Sequence, residues 1–296
     1  MLKVAVIGGT GLLGRAIAAA WPEDELVLTG SRDLDIRDSG RVASFVAHHR
    51  PDWVVLAAAI SQVDICEQNP ALAEQVNHVG AVQVAEVCRR QGVRMMFLST
   101  DYVFDGSKGS PYEADDPVAP LSVYGRTKAA AEKDVEHILP GSCIARVSWL
   151  FGAEKQCFAT TVLDSAERGK PVRALTSQVS IPNYSHDVAR ALAALVHADA
   201  RGVVHVTNSD AVSRYDFSRE LLRAAGLNAG VTPAAVEDMK WAGPRPLYSV
   251  LSDTSLRSHG IRLRDWREVV PDYLARRRQL VSLSESGRGN STGEEP

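Results

Sequence analysis

Several things are scarce in this 296-residue sequence, and each shortage removes a class of function. There are four cysteines, Cys66, Cys88, Cys143 and Cys157, too scattered to form a CxxC pair or a Cys/His cluster of metal-ligand spacing. The expectation is therefore buried free thiols in a reducing cytoplasm, with no cysteine metal site. No apolar run reaches the ~18 residues of a membrane span. The opening MLKVAVIGG leads straight into a short apolar strand without a leader-cleavage pattern, so the chain is expected to be cytoplasmic, with no membrane partner. Excess positive charge is missing too. Lys and Arg number 33 against 36 Asp and Glu, a net charge of −3, which leaves no broad basic field to neutralise a phosphate backbone and argues against nucleic acid. Internal repeats are absent. Low complexity is confined to the closing SLSESGRGNSTGEEP, which has too little apolar surface to offset its ordering entropy; residues 282–296 are predicted to be a flexible tail.

What is present is the material of a large core, 45% hydrophobic and 23% charged. Through the first half, short apolar runs at Leu2 to Ile7, Leu26 to Thr29, Trp53 to Ala57, Met95 to Ser99 and Ile144 to Val147 alternate with amphipathic stretches. That is the pattern of parallel strands joined by crossover helices. Ala81, Val84, Ala85 and Cys88 recur at i, i+3, i+4 and i+7, which predicts a helix laid on the sheet by one face. Beyond residue 150 the alternation loosens, although Val203 to Val206 reads as a further strand and Ser213 with Asp216 as a capping box opening the next helix. The fold class expected is α/β, a Rossmann-type doubly wound parallel sheet with a smaller mixed α/β substrate lobe. Residues 1–150 would form the dinucleotide-binding domain and 151–281 mainly the substrate lobe, with segments returning to the first domain.

Directly after the first strand, GGTGLLG sets Gly8, Gly11 and Gly14 at the mouth of a helix. Glycines there let the backbone approach a pyrophosphate, and the free amides and dipole of the helix N-terminus bind its charge. After the second strand, where an NAD-specific site commonly carries an acid, the chain reads LTGSRDLDI. Ser31 and Arg32 stand near that position, and an arginine can pair with a 2′-phosphate; the expected cofactor is NADPH, with NADH possible and Asp33 the alternative ribose partner. Tyr124 and Lys128 in YGRTK are one helical turn apart, so an ammonium could support a phenol that exchanges protons. Thr100, ending the fourth strand in STDYVFDG, can meet Tyr124 on one carbonyl oxygen. Gly125, costly inside a helix, suggests a close approach.

Taken together, GGTGLLG, LAAAISQVDICE, STDYVFDG, YGRTK and RVSWLFG resemble the extended short-chain dehydrogenase/reductase family and, within it, the dTDP-4-dehydrorhamnose reductase group, from Met1 to roughly Gln279. The resemblance implies NAD(P)H-dependent reduction at C4 of a nucleotide-diphosphate keto-deoxysugar. Tyr124 would donate the proton, Lys128 hold the ribose and Thr100 bind the carbonyl oxygen. It further implies cofactor contacts from Thr10, Leu12, Leu13, Ala57, Ala58 and Ala59, with Asp35 and Ile36 bordering the adenine. Asn77 would be a structural asparagine. Val63, Asp101 and Trp149 would border the sugar, Gln178 would lie in a substrate loop, and Arg245 would meet the nucleotide diphosphate. Leu56 and Asn183 depart from the group's usual asparagine and threonine, which leaves the exact sugar open. Arg15 and Arg190 stand in the neighbourhoods where some members carry acids for a dimer-bridging magnesium, so no metal is expected; monomer and homodimer both stay open. A nucleotide-sugar 4-epimerase and a non-catalytic NADP-binding regulatory subunit are the alternative readings of the same residues. A dehydratase is disfavoured, because Tyr102 stands where its glutamate base would follow Asp101.

Overall fold

The apolar runs of the first half become one parallel sheet. The computed structural model describes residues 1–289, with side chains as far as Leu283. Strands β1 (Lys3–Ile7), β2 (Glu25–Thr29), β3 (Trp53–Leu56), β4 (Arg94–Thr100), β5 (Cys143–Val147) and β6 (Gly202–His205) lie in the order β6-β5-β4-β3-β1-β2. Every pairing is parallel. The strands are nearly all apolar because both faces are covered. Val4, Val6, Val55, Met96, Leu98 and Ala145 face helices α1 (Leu12–Ala20) and α6 (Ser185–His197). The alternate residues Ala5, Ile7, Val54, Met95 and Phe97 face α2 (Ser39–His49), α3 (Gly80–Gln91) and α4 (Val123–Ile138).

Two of these elements come from the second half of the chain. The expected strand at Val203 to Val206 is the sheet's outer strand β6, paired with β5, and α6 packs on α1. The remaining second-half elements build their own core. Phe151, Tyr184 and Phe217 join residues of α5 (Phe158–Glu167), α7 (Arg214–Ala224) and α8 (Trp266–Gly289). Ser213 caps the helix as expected, its Oγ accepting the Asp216 amide at 2.9 Å, but the return bond of a full capping box is replaced by the Ser213 hydroxyl donating to the Asp216 carboxylate at 2.6 Å. Three two-stranded ribbons complete this lobe. Helix α8 runs past Ser282 to Gly289, so residues 282–289, expected to begin a tail, have helical backbone. The rest of the predicted tail, 290–296, lies outside the described residues. No described helix is long and apolar enough to cross a membrane.

Chain order reverses between β1 and β3, since β2 lies on one side of β1 and β3 to β6 on the other. Ligands of doubly wound sheets bind over the carboxyl ends of the strands at such a switch point. The loops leaving β1, β3, β4 and β5 therefore define the place to look.

Candidate active site

A cleft of about 490 Å³ opens at that point. Its floor is the glycine loop. Gly8 has φ +104°, a left-handed conformation that favours glycine, and a Cβ there would stand 2.5 Å from the Ala58 amide nitrogen. A Cβ on Gly14 would overlap the Gly8 carbonyl and lie 2.5 Å from Gly9 Cα, so Gly14 is what lets α1 start directly over the loop. A Cβ on Gly11 would meet only the Gly8 carbonyl, at 3.2 Å. Gly11 is the N-cap of α1 and supplies no side-chain acceptor, so the first amides of the helix remain open to an anion. A cradle with backbone donors and no side chain to fill it fits a dinucleotide pyrophosphate.

Sequence-predicted residues that line the cleft are Gly8, Gly11, Leu12, Leu13, Ala57, Ala59, Val63, Thr100, Asp101, Tyr124, Lys128 and Trp149. The chemistry-bearing group is assembled by two caps. Thr100 is the last residue of β4, and its Oγ accepts the Tyr102 amide at 3.2 Å, turning the chain at the strand end. Ser122 caps α4 by accepting the Gly125 amide at 3.1 Å, which places Tyr124 in the first turn. A Cβ on Gly125 would overlap the Tyr102 carbonyl, so the close approach expected of this glycine is made against the turn after Thr100. The Thr100 hydroxyl donates to Asp101 Oδ1 at 3.1 Å and lies in hydrogen-bond contact with the Tyr124 phenol. Burial pushes the phenol well above its ordinary pKa of 10. Burial also pushes Asp101 up to about 6, although hydrogen bonds from Ser249, at 2.5 Å, and Thr100 hold it down.

Lys128 departs from the simple expectation that its charge acts on the phenol. Its Nζ donates to the Leu98 carbonyl at 2.6 Å and sits 3.8 Å over the Phe97 ring, and burial lowers its pKa to about 7. Asn77 braces the wall beneath: its Oδ1 accepts the Ile60 amide at 2.8 Å, and its Nδ2 donates to the Ile60 carbonyl at 3.0 Å and to Thr127 Oγ1 at 3.3 Å.

Other predicted residues lie outside the cleft proper. Thr10 touches Gly30 at the end of β2, which sets the glycine loop beside the exposed Ser31 and Arg32. Arg41 donates to the Asp33 carbonyl at 2.6 Å and adds a second cation to that corner. Asp35 is held in a two-pronged pair with Arg37, at 2.6 to 3.0 Å, while Ile36 is buried against Gly80. Ala58 meets Gly8 through its backbone. Gln178 is buried and does not line the cleft, but its side chain interacts with the Tyr102 phenol, which does. Arg245 is engaged with Asp64 Oδ2 at 2.9 Å and stacks 4.4 Å over Trp241.

The cleft also holds residues to which sequence reasoning gave no binding role, among them Ser61, Gln62, Tyr102, Lys155, Cys157 and Arg214. Tyr102 meets Tyr124 edge-on, with ring centroids 5.8 Å apart. Arg214, the first residue of α7, lies 3.8 Å over the Trp149 ring. Its only sequence signal was its place directly after the Ser213 cap. Trp149 has φ +33°, a left-handed conformation costing about 1–3 kcal/mol for a non-glycine residue, and its buried indole N–H has no partner among the described residues. Asn183 holds the adjoining loops, donating to the Ser148 carbonyl at 2.6 Å and accepting the Asn208 amide at 2.5 Å.

Comparison with known proteins agrees with this geometry. Residues 2–279 match the family model described as RmlD substrate binding domain. The chain is 34% identical over 279 residues to the spore coat polysaccharide biosynthesis protein SpsK of Bacillus subtilis, covering 94% of this chain and 98% of that protein. It is 34% identical over 281 residues to dTDP-4-dehydrorhamnose reductase of Mycolicibacterium smegmatis, covering 92% and 85%. Its fold matches the crystal structure of dTDP-4-dehydrorhamnose reductase from Bacillus anthracis in complex with NADP with a TM-score of 0.90, at 27% identity and covering 93% and 99% of the two chains.

Proposed function

The chain belongs to the dTDP-4-dehydrorhamnose reductase (RmlD) family of NAD(P)H-dependent dTDP-4-keto sugar reductases, and from that premise we propose that it reduces the C4 carbonyl of a dTDP-linked 4-keto-6-deoxyhexose using NADPH. The observation that carries the reading is the convergence of Thr100, Tyr124 and Lys128 on a cleft floored by an open glycine cradle and walled by Trp149.

The cradle of Gly8, Gly11 and the first amides of α1 would hold the dinucleotide pyrophosphate, Lys128 the nicotinamide ribose, and Arg32 with Ser31 the 2′-phosphate. When bound, reduced nicotinamide supplies the hydride. Tyr124 keeps its proton because burial disfavours the phenolate, which makes the phenol the acid beside a carbonyl oxygen gaining negative charge. Thr100 has a single hydroxyl proton, held by Asp101 in the free protein; on substrate binding it would turn that proton to the same oxygen. The unpartnered Trp149 indole N–H offers a donor to a sugar hydroxyl, and its strained backbone fits a wall shaped for a ligand.

The test is direct. Protein, NADPH and a dTDP-4-keto-6-deoxyhexose are mixed and the absorbance of the reduced nicotinamide is followed. Substrate-dependent loss of absorbance is expected. No consumption with any nucleotide keto-sugar would end the reading in favour of a non-catalytic nucleotide-binding protein.

A further inference from the structure

Outside the Thr100–Tyr124–Lys128 group, the most unusual charge in the molecule is Arg214. It is half-buried in the cleft wall, 3.8 Å over Trp149 and 4.7 Å over Phe158. Its backbone N–H donates to the Gln178 carbonyl at 3.1 Å, which fixes the start of α7 against the substrate loop. Among the described residues no carboxylate lies within ion-pair distance of its guanidinium and no hydrogen bond satisfies it. Burial lowers its pKa to about 10, and the acidic groups that act on it, Tyr102 and then Asp101, do so only at a distance, Asp101 being bound to Ser249 and Thr100. Arg245 acts on Arg214 as a further like charge.

A half-buried cation without a carboxylate partner has lost part of its hydration, and the cost is recovered when an anion arrives. Stacking on two aromatic rings holds the guanidinium plane while leaving its N–H groups free, the arrangement suited to a two-pronged phosphate contact. Beside it, Trp149 presents its own unsatisfied N–H, and Lys155 stands exposed at the rim. Arg245, the residue expected from the sequence to meet the diphosphate, gives one nitrogen to Asp64 at 2.9 Å, keeps its buried Nη1 without a partner among the described residues, and does not line the cleft. We propose that Arg214, held on Trp149 and Phe158 and left without a carboxylate, is the specificity-determining cation that receives the diphosphate of the nucleotide sugar.

This rests on the proposed 4-ketoreductase reading, and its test separates the two. Binding of dTDP and of inorganic pyrophosphate to the NADP-loaded protein is measured by calorimetry for wild type, Arg214→Met, Arg214→Lys and Arg245→Met. NADP affinity serves as the check on folding. The expected result is a loss of dTDP affinity on the order of 10- to 100-fold in Arg214→Met, a smaller loss in Arg214→Lys, which keeps the charge without the planar fork, and a smaller loss still in Arg245→Met. If Arg214→Met folds poorly, Arg214→Lys carries the comparison. A dTDP affinity that is unchanged in both Arg214 variants overturns the inference and leaves the ketoreductase reading standing. Failure of wild type to bind either probe also overturns it. Pyrophosphate binding that depends on Arg214, without any preference for dTDP, supports the anion site and counts against the nucleotide-sugar substrate.

Discussion

At the scale of single residues, burial decides which groups hold protons. Tyr124 is pushed above its ordinary pKa by desolvation, so it stays protonated through the neutral range and can give its proton only to an oxygen that is becoming negative. Tyr124→Phe is therefore expected to keep NADPH affinity and melting temperature while lowering turnover by roughly 10² to 10⁴; near-normal turnover would remove Tyr124 from the chemistry. A second prediction concerns Arg32, exposed beside Ser31 at the end of β2 and with Arg41 anchored nearby on the Asp33 carbonyl. Wild type is expected to prefer NADPH in kcat/KM, and Arg32→Ala to erase most of that preference, because a charge-assisted hydrogen bond contributes about 1.5–3 kcal/mol. An unchanged cofactor ratio in the variant would move the 2′-phosphate elsewhere. Tyr124, Lys128 and Thr100 were legible in the sequence because one helical turn and one strand end fix their spacing. Arg214 was not, because its distinguishing feature is an aromatic shelf supplied by Trp149, far away in the chain.

At the scale of elements, the glycine loop separates folding from binding. Gly14 and Gly11 are both in the GGTGLLG string, yet a methyl on Gly14 runs into the Gly8 and Gly9 backbone, whereas one on Gly11 points into the cleft with a single contact at 3.2 Å. Gly14→Ala should behave as an overpacked site and lower the melting temperature by several degrees, from about 1–3 kcal/mol of strain. Gly11→Ala should lower the melting temperature less than Gly14→Ala does but bind NADPH more weakly. Equal effects of the two on melting would show that the loop is not built as described. The inner sheet strands were legible because each is a four- to seven-residue, mostly apolar run covered on both faces, whereas edge strand β2 is half exposed. The two-residue ribbons, such as Val212–Ser213 on Val179–Ser180, were not, since two residues carry no periodicity. The π-helical stretch Glu74–Val79 was equally silent, although Asn77 within it braces the cleft wall. The outer strand β6 was read as a strand, but its partner was not, because parallel pairing joins segments with no local relation.

For the molecule as a whole, buried titratable groups make stability depend on pH. His205, on β6, is held neutral down to about 3, first by burial and then by the charge of Arg146, whereas the unfolded chain takes up a proton near 6.5. A depressed native pKa means that stability is lost as pH falls from about 6.5 toward 3. Glu154 is buried, but hydrogen bonds from His186 and Arg276 outweigh burial and hold it at about 2, so its contribution is lost as pH falls through 4.5 toward 2. Asp101, raised to about 6, works the other way between 6 and 3.8. The melting temperature should therefore fall between pH 7 and 5, and His205→Gln should flatten that fall, whatever it costs at pH 7. An identical pH slope in the variant would assign the acid sensitivity to other groups. The parallel pairing of β6 with β5 also has a consequence for synthesis. The ribosome must add roughly fifty residues after β5 before β6 exists, which at ~5–20 residues per second leaves the edge of β5 bare for several seconds. The nascent chain thus carries an open hydrogen-bonding edge next to a half-covered apolar face, the surface on which neighbouring nascent chains could pair wrongly and to which a holdase would bind.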